Sequence, residues 1–195
     1  MVLYLSVIFV SMAIISTLNI WLGSDVFGYT PWQVIGLVSL AVIIQIVIDL
    51  ILAWIFQSLP NKWYNPDKKF FCVSKKERKF YEKLGIKKWK DKILELGAIA
   101  GFRKNKIKDS TDPDYLNTFL IESNKGIVIH LTNIIFGFSI MLCLPLKYAW
   151  VISFPVGCVN FILGLLPIFV LRYNIPKLKI CKQRAERNKE HEIDI

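Results

Sequence analysis

The chain has 195 residues, of which 54% are hydrophobic, and yet it carries a formal charge of +10, a mixture that ordinary soluble domains do not show. Apolar residues are gathered in four long runs, and nearly all the charge lies between the second and third runs or after the fourth. That segregation excludes a soluble globular domain and predicts an all-α polytopic membrane protein, a single membrane domain over residues 1–195 with four transmembrane helices.

The first run covers about residues 2–22 and the second about 32–56, each long enough at 1.5 Å per residue to cross roughly 30 Å of hydrocarbon. The N-terminus is hydrophobic from Val2 onward and has neither a basic leading region nor a small-residue cleavage site, so it reads as a retained span rather than a signal peptide. A loop of turn formers, GSDVFGYTP, joins the two runs.

The middle segment, residues 57–125, is basic but too rich in aromatics and aliphatics for a disordered tail. Within it Trp89, Ile93, Leu96 and Ala100 recur at helical spacing, with Lys88, Lys90, Asp91, Lys92 and Glu95 on other faces. This pattern predicts an amphipathic interfacial helix. The chain turns polar from Arg103 to Thr111, and a helix restarts in TDPDYLNTFLIE, with Thr111 or Asp112 as its cap and Pro113 in its first turn.

The third run covers about residues 126–144 and the fourth about 150–171, joined by PLKYA. Trp21, Trp32, Trp54, Tyr148 and Trp150 fall near run ends, where amphipathic rings favour the headgroup layer. Of the 25 Lys and Arg, 17 lie in the middle segment, 7 follow Leu171 and one, Lys147, lies between the last two runs. By the positive-inside rule both termini and the middle segment are expected in the cytoplasm, with the protein in the plasma membrane. After the fourth run Pro176 is expected to end the helix and to bias Ile175 towards an extended backbone.

Two ionisable residues fall inside the runs, and such groups are costly in hydrocarbon. They are Asp49 and His130, roughly 12 Å and 6 Å from the cytoplasmic surface by helical rise. Glu122 precedes His130 by eight positions, two turns plus about 80° of rotation, so the two would point to neighbouring sides of a continuous helix. Asn133, three positions after His130, could hydrogen-bond beside it. Plainer readings stand next to these: His130 as a packing residue, Asp49 bound to a hydroxyl on another helix, Arg172 and Lys177 as topology determinants touching lipid phosphate, Asn160 as a bond between helices, and Gly157 and Gly164 as points of close packing.

No GxSxG, HExxH, Walker or HxxxxD pattern occurs. The cysteines Cys72, Cys143, Cys158 and Cys181 form no CxxC pair and no zinc-site spacing, so neither a disulfide framework nor a metal is expected. Nucleic acid is a poor partner despite a pI near 9.5, because membrane orientation already accounts for the positive charge.

Three stretches, WKDKILELG at 89–97, IESNKGIVIH at 121–130 and PIFVLRYNIPKL at 167–178, together resemble the bacterial glycosyl-4,4'-diaponeurosporenoate acyltransferase family over roughly the C-terminal two-thirds of the chain. The resemblance picks out Trp89, Lys90, Lys92, Glu122, His130, Pro167, Arg172, Tyr173, Asn174, Pro176 and Lys177. It implies transfer of a fatty acyl chain to a hydroxyl of a glycolipid or other lipid acceptor, with acyl-CoA, acyl carrier protein or a lipid as donor and no further cofactor. On that reading His130 is the general base, since histidine titrates near neutrality, and Glu122 or Asp49 orients it. Arg172, Tyr173, Asn174, Lys177, Trp89, Lys90, Lys92, Asp49 and Asn133 are the substrate-binding candidates, membrane lipids the partners. The competing reading is a non-enzymatic membrane protein that binds anionic lipid or a partner protein.

Overall fold

The computed structural model describes residues 2–27, 30–93 and 109–193. In chain order its helices are α1 (Val2–Phe27), α2 (Pro31–Ser58), α3 (Lys75–Lys83), α4 (Ile86–Trp89), α5 (Pro113–Gly137), α6 (Leu146–Tyr148) and α7 (Phe154–Ile193). Among the described residues there is no strand. Four segments, Tyr4–Trp21, Pro31–Ser58, Pro113–Leu142 and Leu146–His191, are helical, long and apolar enough to cross a membrane, as the four apolar runs predict. The chain divides into two compact units, Met1–Phe56 with Ile129–Leu165, and Gln57–Val128 with Leu166–Ile195.

In the first unit Ile15, Val34, Val38, Ala41, Ile140, Leu144, Ile152 and Val156 form the core. Small and β-branched residues at Val34, Val38 and Ala41 line one stripe of α2, which lets neighbouring backbones approach. The opposite sides remain apolar, with Phe9, Ile43, Leu50, Ile51 and Trp54 exposed. A helix apolar all round suits lipid rather than water. Gly157 and Gly164 are the close-packing points the sequence suggests: a Cβ at Gly157 would meet Phe138 at 2.9 Å, and one at Gly164 would meet Ile134 at 2.9 Å.

The second unit is built on Tyr64, Phe71, Tyr81, Ile86, Leu116, Phe119, Leu120, Tyr173, Ile175 and Leu178, all buried. Ser74 caps α3 by accepting from the Glu77 amide at 3.1 Å, and Gly85 turns the chain into α4 with φ +64°, a conformation that disfavours any side chain. Asp112 is the cap of α5, accepting from the Asp114 amide at 2.9 Å, with Pro113 in the first turn.

Two sequence expectations are corrected here. The described part of the interfacial segment is not one helix: α4 ends at Trp89, a 3₁₀ turn spans Lys90–Lys92, and Ile93 is extended at φ −77° and ψ 127°. Burial of Ile93 takes precedence over helical periodicity; Leu96, Ala100 and residues 103–108 of the polar loop lie outside the described residues. Nor does Pro176 end the last helix, and Ile175 is helical, because α7 runs through both Pro167 and Pro176 to Ile193. Proline removes one amide donor and crowds one carbonyl, and burial of Tyr173, Ile175 and Leu178 around Pro176 holds the helix across that break.

Pro167 shows how such a break is repaired. The carbonyl four residues earlier, at Leu163, is the one its missing N–H leaves without the usual helical donor, and the Tyr4 hydroxyl donates to that carbonyl at 3.0 Å. An unpaired carbonyl in apolar surroundings costs about 1–3 kcal/mol. We therefore expect Tyr4→Phe to lower the chain's stability by about 1 kcal/mol in detergent melting, with little effect in a Tyr4→Phe, Pro167→Ala double variant, where the helical amide is restored.

Candidate functional site

In the first unit α5 carries His130, which is half-buried. The backbone there is closely packed: a Cβ at Gly164 of α7 would lie 3.6 Å from the His130 carbonyl. One turn further along α5 begins a cluster of polar side chains. Asp49 Oδ1 accepts from Gln45 Nε2 at 3.0 Å and from Asn160 Nδ2 at 3.3 Å. The Asn160 amide also donates to the Asn133 backbone carbonyl at 3.4 Å. Three helices, α2, α5 and α7, thus meet through one amide.

Gly137 makes room for this junction, since a Cβ there would stand 2.7 Å from Asn160 Nδ2 and 3.3 Å from Gln45 Nε2. Two acceptors of the cluster, Gln45 Oε1 and Asn133 Oδ1, are buried with no hydrogen-bond partner among the described residues. Sequence reasoning picked Asp49 and Asn133 but passed over Gln45. The available signal was its place four residues before Asp49, one turn along the same helix face. Asn160 is the bond between helices that the plainer reading supposed, and Asp49 meets amides here rather than a hydroxyl.

In the second unit the predicted residues fall into separate arrangements. Glu122 accepts from Gln57 Nε2 at 3.1 Å and from Lys125 Nζ at 2.9 Å. Lys125 is only 7% exposed, so this pair is largely withdrawn from solvent. Next to it Asn124 donates to the Tyr64 carbonyl at 2.9 Å. The residue expected to orient an imidazole is therefore engaged with a lysine and a glutamine, neither of which the sequence flagged.

Arg172 is bound on every side. Its Nε and Nη2 donate to the two Glu77 oxygens, its Nη1 to the Phe70 carbonyl at 3.0 Å and its Nη2 also to the Cys72 carbonyl at 3.4 Å. The Tyr81 hydroxyl donates to Glu77 at 2.6 Å, and the guanidinium lies 6.0 Å from the centre of the Phe70 ring. This bidentate pair ties α7 to α3 and to the turn before it. Tyr173 is fully buried, with Lys177 over its ring at 5.0 Å, while Lys177 itself is exposed and Asn174 half-buried. Trp89 donates to the Leu84 carbonyl at 3.1 Å and Lys90 pairs with Asp91 at 3.1 Å. Lys92 closes the 3₁₀ turn.

Burial alone would raise the Glu77 carboxyl, but hydrogen bonds from Arg172 and Tyr81 and the guanidinium charge outweigh it, so the group is held below the usual glutamate range. Burial and the adjacent Glu77 push the Tyr81 phenol up. A carboxyl depressed in the folded state adds stability that is complete above its unfolded pKa and disappears as pH falls through the folded one. The melting temperature should accordingly drop on acidification below the ordinary glutamate range, and Glu77→Gln should flatten that part of the curve. Arg172→Lys, which loses the fork geometry, should cost about 2 kcal/mol. At the other cluster, Gly137→Ala should destabilise by about 1–3 kcal/mol, the cost of overpacking, as read by thermal melting.

Compared with known proteins, the chain matches the family model described as glycosyl-4,4'-diaponeurosporenoate acyltransferase over residues 60–184. No curated protein and no solved structure matches it.

Proposed function

Because the chain belongs to the glycosyl-4,4'-diaponeurosporenoate acyltransferase family, we propose that it is a membrane O-acyltransferase, moving a fatty acyl chain from a thioester or ester donor to a hydroxyl of a lipid acceptor. A glycosylated carotenoid is the acceptor for which the family is named. The observation that carries this reading is the family match over 60–184, which includes His130, one of only two histidines in the chain.

The chemistry asks for a base, for donors at the developing oxyanion, and for shelter from water. His130 is the base in this scheme: it accepts the acceptor's hydroxyl proton as the oxygen attacks the acyl carbonyl. A tetrahedral intermediate forms, the carbon–sulfur or carbon–oxygen bond to the donor breaks, and the leaving group takes the proton from the imidazolium. An ester and a free thiol or alcohol result. Apolar helices around His130 supply the dry surroundings in which a thioester escapes hydrolysis.

The distribution of charge supports a donor at the basic face. With the middle segment and the tail on the cytoplasmic side, the many lysines there favour an anionic donor such as acyl-CoA, acyl carrier protein or an anionic phospholipid. Lys177, exposed on α7, is available for such a group, whereas Arg172, Glu122 and Lys125 are engaged within the fold. We therefore assign Arg172 to holding the donor-side architecture in shape and Lys177 to electrostatic contact.

The test is acyl transfer by the purified full chain in lipid vesicles, using labelled palmitoyl-CoA and an extract of host lipids. His130→Ala should lower the rate by a factor of about 10² or more with unchanged melting temperature, and His130→Gln, similar in shape but unable to take the proton, should be equally slow. Wild-type rates in both folded variants would remove His130 from the chemistry, and no transfer by the folded wild-type chain would favour the lipid-binding alternative.

A further inference from the structure

The intramembrane cluster of Gln45, Asp49, Asn133 and Asn160 contains more acceptors than donors. Two donor groups, Gln45 Nε2 and Asn160 Nδ2, converge on the same Asp49 oxygen, while Gln45 Oε1 and Asn133 Oδ1 are buried and receive no hydrogen bond among the described residues. Gln45 is 5% exposed. Protein interiors pair buried carbonyls with few exceptions, and the need is sharper between membrane helices, where bulk water is absent. Gln45 lies within an aliphatic stretch of α2, between Ile43–Ile44 and Ile46–Val47, so a nonpolar residue there would be the cheaper choice for packing alone.

We propose that this cluster is the seat of the acceptor's hydroxyl-bearing head group. A hydroxyl donates one hydrogen bond and accepts others, so two neighbouring hydroxyls supply the donors that Gln45 Oε1 and Asn133 Oδ1 lack. Gly137 lets the two amides take up these places, since a Cβ there would stand 2.7 Å from Asn160 Nδ2 and 3.3 Å from Gln45 Nε2. Asn133 lies three residues after His130, one turn along α5, which puts a seated hydroxyl and the base on successive turns of one helix. This inference rests on the acyl-transfer reading for its ligand, and its site is independent of any residue whose donors are already taken in the second unit.

Binding without turnover tests it. The purified full chain in nanodiscs is melted in the presence of octyl β-glucoside below its micellar concentration. A parallel series uses the tetra-O-methyl analogue, which keeps the acceptor oxygens and the alkyl chain but has no donor. Octyl glucoside should raise the melting temperature and the methylated analogue should not. Gln45→Met removes one orphan acceptor, and Asn133→Leu removes the other while its backbone carbonyl still accepts from Asn160. Each should raise the glucoside concentration needed for half the shift at least tenfold.

Equal responses to the two glucosides, or variants that respond as the wild type does, would overturn the proposal. So would stabilisation by sodium over choline that disappears in Gln45→Met while glucoside has no effect, an outcome that makes the cluster a cation site. Because the assay needs no acyl donor, glucoside binding that persists in a chain without transferase activity would sink the proposed reaction and leave the site standing. Loss of transfer in His130→Ala with no discrimination between the glucosides would do the reverse.

Discussion

The amide of Asn160 joins three helices at one point, donating to Asp49 of α2 and to the Asn133 carbonyl of α5 from its place on α7. Between apolar helices there is little hydrophobic drive for association, since lipid tails are as apolar as the side chains, and packing is governed by shape and by bonds of this kind. The glycines follow from the same constraint. Gly137, Gly157 and Gly164 each stand where a Cβ would collide with a neighbouring helix, so close approach and the polar junction are two aspects of one contact. The Tyr4 hydroxyl on the Leu163 carbonyl belongs to the same logic, because a proline can persist in such a helix when another group satisfies the carbonyl it leaves behind.

The second unit joins a buried aromatic and aliphatic core to a set of charged contacts. Arg172 takes the carboxylate of Glu77 and two backbone carbonyls, Lys125 takes Glu122, Lys179 reaches the Pro66 carbonyl at 2.6 Å and Lys182 the Asn117 side chain at 3.0 Å. Arg172 and Lys179, which a charge count credits to membrane orientation, therefore also clasp the chain segment between α2 and α5. Positive charge in such a protein has two roles at once, and a charge count alone does not separate them.

The long features were legible from the sequence: four spans, the cap at Asp112, and the packing role of Gly157 and Gly164. These depend on local composition and on geometry that any helix imposes. The fate of Pro176 was not legible, because whether a helix survives a proline depends on tertiary burial at Tyr173, Ile175 and Leu178, which no window of sequence reveals. Trp89 and Ile93 misled for the opposite reason: their spacing fits a helix, but Ile93 is held extended in the core. At the candidate sites the residue types were readable and their partners were not. Arg172 looked like a ligand-binding cation, and its partner Glu77 is 95 positions away. Gln45 and Asp49 lie outside the family-matched segment, so only the fold brings them to Asn133 and Asn160.

The account as a whole requires that this protein makes an ester. The direct measurement is mass spectrometry of total lipids from cells expressing the wild-type chain and from cells lacking it. The account predicts a lipid species heavier than its acceptor by one fatty acid less water, present only with the protein, whose alkaline hydrolysis returns a fatty acid and a hydroxylated lipid. Identical lipid profiles in the two strains, with the protein folded and in the membrane, would contradict it.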